Sequence, residues 1–151
     1  MANVKPVPDG YHTITPYLTL KGAAQAIEFY KKAFGAEEIM RMSGPGGAIM
    51  HAELRIGDSH LMLSEAIQDP PSQSGLFVYV TDVDAAFSRA VAVGCQVNVP
   101  LADQFWGDRF GKLADPFGIR WSLATHKEDV PPAEMKERAK AAMAQMAAQK
   151  K

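Results

Sequence analysis

The sequence contains one cysteine, no long apolar run and almost no net charge, and each of these shortages excludes a class of protein. Cys95 has no second cysteine to pair with and no cysteine or histidine neighbour at metal-ligand spacing, which suits a reducing compartment. No stretch approaches the length needed to span a bilayer. Sixteen basic and seventeen acidic residues give a formal charge of −1, which argues against a nucleic-acid-binding surface. We therefore expect a cytoplasmic protein without membrane or nucleic-acid partners.

The first half of the chain changes between strand and helix periodicity. Residues 11–20 alternate between polar and apolar side chains, which is typical of a strand with one polar face. Between Gly22 and Phe34 the apolar residues recur at helical spacing, and Gly35 stands where a helix is expected to end. Three short strand-like runs follow, at residues 37–42, 50–56 and 60–64. Residues 11–65 therefore predict a β-α-β-β-β module.

The second half repeats this order. Asp82 is placed to cap a second helix and Gly94 to end it. Strands are predicted around that helix, at residues 76–80, 95–99, 108–114 and 120–125. The two helix-ending glycines are 59 residues apart, and the last turns of the two halves, at Asp58 and Gly118, are 60 residues apart. We interpret this as an internal duplication, with a second module at residues 75–126.

The end of the chain differs in composition from both modules. Pro131 and Pro132 precede a run rich in Ala, Lys, Glu and Met, which are strong helix formers. We therefore expect one α+β domain over residues 1–130 and a helical tail over residues 131–151. The tail either docks on the domain or on a second subunit, or it forms a flexible arm.

In each predicted strand one face suits packing under a helix, and the other face is polar or aromatic. The second kind of face would line a cavity, because a pocket for a small molecule needs aromatic area and a few polar groups. The other interpretation is a solvated face of an antiparallel sheet. With two loop residues added, the candidate ligand-binding residues are Thr15, Tyr17, His51, Glu53, Arg55, Phe77, Tyr79, Trp106, Arg109, Arg120 and Ser122.

Two small constellations carry candidate chemistry. His51 and Glu53 lie beside Arg55 on one face of a strand. The three either form a structural ion pair or hydrogen-bonded trio, or they bind a polar ligand or act as acid and base. Trp106 and Arg109 are predicted on a long loop, where they either close over a flat or anionic ligand or, for Arg109, form a structural ion pair with Asp108 or Asp115. His126, near a strand end, is expected at the surface or between subunits.

The order of the elements and several strings resemble the vicinal oxygen chelate superfamily of glyoxalases, bleomycin-resistance proteins and extradiol dioxygenases. The strings AQAIEFYKKAFG (24–35) and VTDVDAAFSRAVAVG (80–94) look like its two module helices. The strings WGDR (106–109), DPFG (115–118) and WSLATHKEDV (121–130) are similar to its PhnB-like branch. The resemblance covers about residues 11–138 and implies two modules that form an eight-stranded open barrel, usually in a homodimer.

Enzymes of that superfamily hold one divalent metal ion through residues on four strands. The resemblance carries these four positions to Thr15, Met62, Gly75 and Ser122. None of them is a metal ligand of the expected type, and same-face positions two residues away offer at most one histidine, His60. We therefore expect no metal cofactor, with a divalent metal as the less favoured alternative.

Three functions remain open from the sequence. The first is a homodimeric binding protein that holds a small aromatic or polar molecule in a cleft. The second is a metal-dependent lyase or dioxygenase that uses His51, Glu53 and His60. The third is a metal-free enzyme in which His51 or Glu53 is the general base.

Overall fold

The computed structural model describes residues 3–150, so Met1 and Ala2 of the predicted domain and Lys151 of the predicted tail lie outside the described residues. The first module contains β1 (Tyr17–Leu20), α1 (Ala23–Phe34), β2 (Glu37–Ser43), β3 (Ile49–Ile56) and β4 (Ser59–Glu65). The second contains β5 (Gly75–Tyr79), α2 (Val83–Val93), β6 (Gln96–Asp103), β7 (Asp108–Ala114) and β8 (Arg120–His126). A last helix, α3 (Pro132–Gln149), follows. The predicted α+β fold of two β-α-β-β-β modules is confirmed.

The two sheets have the same topology. The first has the strand order β1-β4-β3-β2 and the second β5-β8-β7-β6. In each sheet the first strand is parallel to the last, and the other neighbours are antiparallel. Tyr17 pairs with Met62, and the corresponding pair in the second sheet is Phe77 with Ser122. Among residues 3–150 no strand of one sheet pairs with a strand of the other, so the eight strands form two open sheets and no closed barrel.

Each sheet carries its helix on one face, and the two modules share a hydrophobic core. The ring of Trp121 in β8 contacts Tyr30 and Phe34 of α1 at centroid distances of 5.2 and 4.1 Å. Arg89 of α2 donates from Nε to the carbonyl of Ala33 in α1 at 3.2 Å. Because Tyr30 and Trp121 are fully buried, the modules are joined by packed interior and not by a linker alone. We call the other side of each sheet, away from the helices, its outer face.

A buried carboxylate connects the modules. Asp115, in the turn between β7 and β8, accepts from the hydroxyl of Tyr30 at 2.7 Å and from the indole N–H of Trp121 at 2.9 Å. Its other oxygen accepts from the backbone N–H groups of Phe117 and Ile119 at 2.8 and 3.0 Å. Burial, together with the neighbouring carboxylate, raises the pKa of the Tyr30 phenol. The DPFG string thus supplies a turn and the fixed acceptor for two aromatic donors.

The two helices begin in different ways. The side chain of Asp82 accepts from the backbone N–H of Ala85 at 3.1 Å, which confirms the predicted cap of α2. At the start of α1, Glu65 from the end of β4 accepts from the backbone N–H groups of Gly22 and Ala23 at 2.9 and 2.8 Å. This distant cap fixes the first turn of α1 against the sheet, and local sequence spacing did not reveal it.

Two predicted strand boundaries were wrong by more than one residue, and both errors involve proline. β1 begins at Tyr17 and not at Tyr11, because Pro16 has no N–H for the ladder and the chain before it crosses the outer face. β6 continues through Pro100 to Asp103 and does not end at residue 99. Since β6 is an edge strand, one side of its backbone needs no partner and proline is tolerated there.

The predicted helical tail is present as α3, and it is tied to the domain near its start. Arg138 donates to the carbonyl of Phe105 at 3.3 Å and to the carboxylate of Glu128 at 2.7 and 3.0 Å. None of the described residues of α3 is buried, and Met143 and Met146 are 64% and 60% exposed. Of the helices within residues 3–150, none is both long and apolar enough to cross a membrane.

Candidate functional site

An aromatic surface covers part of the outer face of the second sheet. Phe77 and Tyr79 of β5 lie with their ring centroids 5.0 Å apart, and Phe77 stacks on Phe110 of β7 at 5.6 Å. Trp106, in the short loop before β7, packs edge-on against Phe110 at 5.4 Å. We call these four residues the aromatic platform. Phe77 and Tyr79 are 50% and 62% exposed, so the platform presents accessible aromatic area.

Strand alternation and register place the platform residues together. In β5, Leu76 and Val78 pack towards the core, which turns Phe77 and Tyr79 to the outer face. Tyr79 and Phe110 both pair with Ala124 of β8, so one small side chain separates the two aromatic strands. A larger residue in place of Ala124 would hold the rings apart.

Asp108, only 3% exposed, is the fixed acceptor beneath the platform. It accepts from the indole N–H of Trp106 at 3.0 Å and from the hydroxyl of Tyr79 at 3.1 Å. Its second oxygen lies 2.8 Å from Nδ1 of His126, whose Nε2 lies 2.8 Å from Asp129. Asp108 therefore orients two of the four platform side chains.

The electrostatics of this group favour a carboxylate next to a protonated imidazole. Burial raises the pKa of Asp108, but hydrogen bonds from His126, Trp106 and Tyr79 together lower it below its usual value. Hydrogen bonds to Asp129 and to Asp108 raise the pKa of His126. Sequence reasoning missed the role of Asp108 and expected His126 only at the surface or between subunits. The available signal was the strand period, which puts Asp108 and Phe110 on one face of β7.

A second polar group lies on the outer face of the first sheet. Glu53 accepts from the hydroxyl of Tyr11, and its other oxygen lies 3.1 Å from Nε2 of His51. Nδ1 of His51 lies 3.4 Å from the hydroxyl of Tyr17. The ring of Tyr11 stacks on His60 with centroids 4.0 Å apart and planes inclined by 19°. We call Tyr11, Tyr17, His51, Glu53 and His60 the Glu53 cluster.

The two acid–base candidates of the sequence are therefore in direct contact. With its Nε2–H donated to Glu53, a neutral His51 presents Nδ1 as an acceptor towards the hydroxyl of Tyr17. A carboxylate that orients an imidazole in this way prepares the free ring nitrogen to accept a proton. The arrangement has the parts of a general base, while Tyr11 and His60 were not among the residues predicted for binding.

The remaining predicted residues are dispersed. Arg109 points to the side of the sheet where α2 lies and binds Asp84 at 2.8 and 2.9 Å and Asp103 at 3.2 Å, so its aspartate partners differ from Asp108 and Asp115. Arg55 pairs with Glu37 in an exposed position. Arg120 is exposed at the start of β8, opposite Gly75.

Ser122 and Thr15 lie closer to the aromatic platform. Ser122 lies between Phe77 and Lys112 in the register of the second sheet. Thr15 lines a groove of about 760 Å³ between the modules, beside β5. Phe77, Tyr79 and His60 also line this groove, which brings residues of both outer faces to one cavity.

The donor atoms do not fit a metal site. None of the four positions implied by the superfamily carries an imidazole or a carboxylate group. They are Thr15, Met62, Gly75 and Ser122. Within residues 3–150 no three or more His, Cys, Asp or Glu side chains are placed to hold a metal ion. The expected lack of a metal cofactor stays a prediction.

Comparison with known proteins identifies one superfamily that this chain resembles. A family model described as the glyoxalase/bleomycin resistance protein/dioxygenase superfamily matches residues 12–123. The uncharacterized protein Rv0887c of Mycobacterium tuberculosis is 43% identical, with 78% of this chain and 76% of that protein covered.

Two solved structures share the fold. The PhnB protein from Bacillus cereus has a TM-score of 0.63 at 22% identity, covering 76% of this chain and 99% of that one. TnmS3, described as an antibiotic binding protein from Streptomyces sp. CB03234, has a TM-score of 0.63 at 22% identity, covering 82% and 100%.

Proposed function

This chain belongs to the glyoxalase/bleomycin resistance protein/dioxygenase superfamily, and from that premise we propose that it binds a small aromatic molecule on the aromatic platform without a metal ion. The observation that carries the proposal is the 50% and 62% exposure of Phe77 and Tyr79 over a buried carboxylate that fixes Tyr79 and Trp106. Accessible aromatic area with a few fixed polar groups is the composition of a ligand site. That TnmS3 is an antibiotic binding protein of the same fold supports this class of function.

The surroundings of the platform favour a ligand with a polar or anionic substituent. The ammonium group of Lys112 lies 6.0 Å from the ring centroid of Phe110, at the edge of the platform. Ser122 lies next to Lys112 in the register and offers a hydroxyl. Together they supply a cation and a hydrogen-bonding group on the same face as the rings.

We also propose that the ligand cleft is completed in a homodimer. We propose a cytoplasmic location as well, which the single unpaired Cys95 suggests. Glu53 and Lys112 hold corresponding places in the two sheets, since the rows Tyr17-Met62-Glu53 and Phe77-Ser122-Lys112 have the same register. If the outer face of the first sheet of one subunit covers the platform of the other, Glu53 and Lys112 place opposite charges on the two walls of the cleft. The mass in solution tests this, and a monomer at micromolar concentration contradicts it.

A metal-free enzyme is the second candidate, and the hydrogen bond between His51 and Glu53 favours it. His51 would then remove a proton from a bound molecule. Mass spectrometry of ligands recovered after incubation separates the two functions, because a binding protein returns its ligand unchanged. A metal-dependent lyase or dioxygenase is disfavoured by the donor geometry, and a stoichiometric transition metal in protein purified without chelator would restore it.

The binding test uses a flat aromatic probe, 2-methoxynaphthalene, measured by calorimetry. Phe77→Ala removes exposed aromatic area from the platform and is expected to weaken binding about tenfold. The control is Val97→Ala, which removes a side chain of similar exposure, 46%, from the edge strand β6. Equal affinities of the wild type and Phe77→Ala contradict binding on the platform.

A further inference from the structure

The segment before β1 inserts one side chain into the outer face of the first sheet. Residues 3–16 form no helix or strand, and residues 3–10 and 12–14 are exposed, whereas Tyr11 is half-buried. Tyr11 stacks on His60 and donates its hydroxyl to Glu53, and the carbonyl of Gly10 lies 2.8 Å from Nδ1 of His60. The segment is therefore attached to this face through two consecutive residues.

The groups that receive Tyr11 belong to the sheet itself. Glu53 and His51 are on β3 and His60 is on β4, so their positions are set by the sheet and by the core beneath it. Tyr11 reaches them from outside the sheet. A flat ring stacked on an imidazole, with its hydroxyl donated to a carboxylate, is how a free phenol would bind in the same place.

We propose that Glu53, His51 and His60 form a subsite for the hydroxyl-bearing ring of a phenolic ligand, and that Tyr11 occupies this subsite in the structure. The inference rests on the proposed aromatic-ligand function and specifies the ligand class. Glu53 accepts the phenol hydroxyl, His60 supports the ring, and His51 holds the second carboxylate oxygen. The ligand and Tyr11 exclude one another.

Displacing Tyr11 breaks few interactions. β1 begins at Tyr17, so no ladder hydrogen bond of a sheet is lost when residues 3–14 move. The ion pair of Lys5 with Asp9 is within the segment and exposed, and such pairs contribute little. The ligand restores the stacking and the hydrogen bond to Glu53. Its apparent affinity is reduced by the fraction of molecules in which Tyr11 covers the subsite.

Gly10 gives a second way to test this cover without changing the subsite. Its φ is +82°, and a Cβ there would lie 3.1 Å from Cε1 of His60. Gly10→Ala therefore strains the covered arrangement and crowds His60, whereas Glu53 and His51 are untouched. Both Tyr11→Ala and Gly10→Ala should open the subsite.

The experiment compares 2-naphthol with 2-methoxynaphthalene, which lacks the O–H donor, by calorimetry. Tyr11→Ala should bind 2-naphthol about tenfold more tightly than the wild type, and Gly10→Ala should also raise the affinity for 2-naphthol. Adding Glu53→Gln to Tyr11→Ala should remove most of this gain. In the wild type, 2-naphthol should change the NMR signals of Gly10 and Tyr11 as these residues leave the face of the sheet. The control, Val4→Ala, changes an 81% exposed residue of the same segment and should have no effect.

The outcomes separate this inference from the proposed function. If Tyr11→Ala and Gly10→Ala leave 2-naphthol affinity unchanged or weaker, Tyr11 does not occupy a ligand subsite and the inference is wrong. The same conclusion follows if 2-methoxynaphthalene gains as much as 2-naphthol. Either result leaves binding on the platform intact if Phe77→Ala still weakens 2-methoxynaphthalene. Failure of every variant and the wild type to bind either probe overturns the proposed function itself.

Discussion

Replacing Asp108 by asparagine separates the structural and electrostatic roles of this buried acceptor. An asparagine can keep one oxygen towards Trp106 and Tyr79, but it then turns its amide N–H₂ group towards Nδ1 of His126. One charge-assisted hydrogen bond is lost, which is worth about 1.5–3 kcal/mol, and the half-exposed His126 recovers part of that from water. We expect Asp108→Asn to lower the free energy of unfolding by about 1–2 kcal/mol.

Asp108→Ala leaves all three donors without their acceptor. We expect a loss of about 3–4 kcal/mol, a large part of the stability of an ordinary domain. The two variants should also differ in binding of 2-methoxynaphthalene. Asp108→Asn keeps Trp106 and Tyr79 in place and should bind within about threefold of the wild type, whereas Asp108→Ala frees both side chains and should bind about tenfold more weakly.

The pH dependence follows from the two pKa shifts. The pKa of Asp108 is lowered in the folded protein, so its contribution is present above the unfolded value of about 3.9 and is lost as the pH falls through the lower folded value. The pKa of His126 is raised, so its contribution is present below about 6.5 and is lost as the pH rises through the higher folded value. The stability difference between the wild type and Asp108→Asn should therefore be largest between about pH 4 and 6.5.

Urea unfolding at pH 5.5 and 8, with an NMR titration of His126, measures these effects. The pKa of His126 should fall in Asp108→Asn but stay above its ordinary value, because Asp129 still contacts Nε2. An unchanged pKa of His126, or equal stability of Asp108→Asn and the wild type at pH 5.5, refutes the reasoning.

Three further experiments test contacts that hold the fold in place. In a double-mutant cycle, Asp115→Ala and Tyr30→Phe should each lower the free energy of unfolding. The loss in the double variant should be about 1–2 kcal/mol smaller than the sum of the two single losses, because both substitutions remove the same hydrogen bond. Glu65→Ala removes the distant cap of α1 and should lower it by about 1–2 kcal/mol, with Glu65→Gln in between. Gly107→Ala places a Cβ 2.1 Å from the carbonyl oxygen of Glu128 at a φ of +103°, and should cost more than about 2 kcal/mol. Chemical denaturation measures all three.

Each of these three predictions has a result that would contradict it. Additive effects in the cycle would mean that Tyr30 and Asp115 are energetically independent. Wild-type stability of Glu65→Ala would mean that water caps α1 equally well. A stable Gly107→Ala with unchanged exchange protection at Lys127 would mean that the loop shifts without strain, since Lys127 donates its backbone N–H to Gly107 at 2.8 Å.

Much of the fold could be predicted because both modules use strong local signals. Gly35 ends α1 with a left-handed conformation at φ 66°, and Asp82 caps α2, both as the spacing predicted. The proline errors show the limit of local rules. β1 and β6 both lie at a sheet edge, so whether a proline interrupts the strand depends on whether its nitrogen faces the paired neighbour or the open side, and this is set by the register of the whole sheet.

The site was predicted less completely, because its contacts join distant parts of the chain. Strand alternation placed Phe77, Tyr79, His51 and Glu53 on the outer faces. It placed Tyr11 at the start of the first strand, whereas Tyr11 lies before β1 and reaches Glu53 over 42 positions of sequence. It also did not show that Arg109 lies on the opposite side of β7, because Arg109, although within the predicted strand at residues 108–114, was interpreted as part of the loop before it.

The hydrogen bond between Tyr30 and Asp115 makes each module depend on the other for a complete interior. A fragment that ends before β5 would carry the phenol of Tyr30 and the ring of Phe34 without the carboxylate and the indole that cover them. The complementary fragment would expose Trp121. Neither half is therefore suited to persist alone, and the two halves are expected to unfold in a single transition. Each module therefore supplies part of the other's interior.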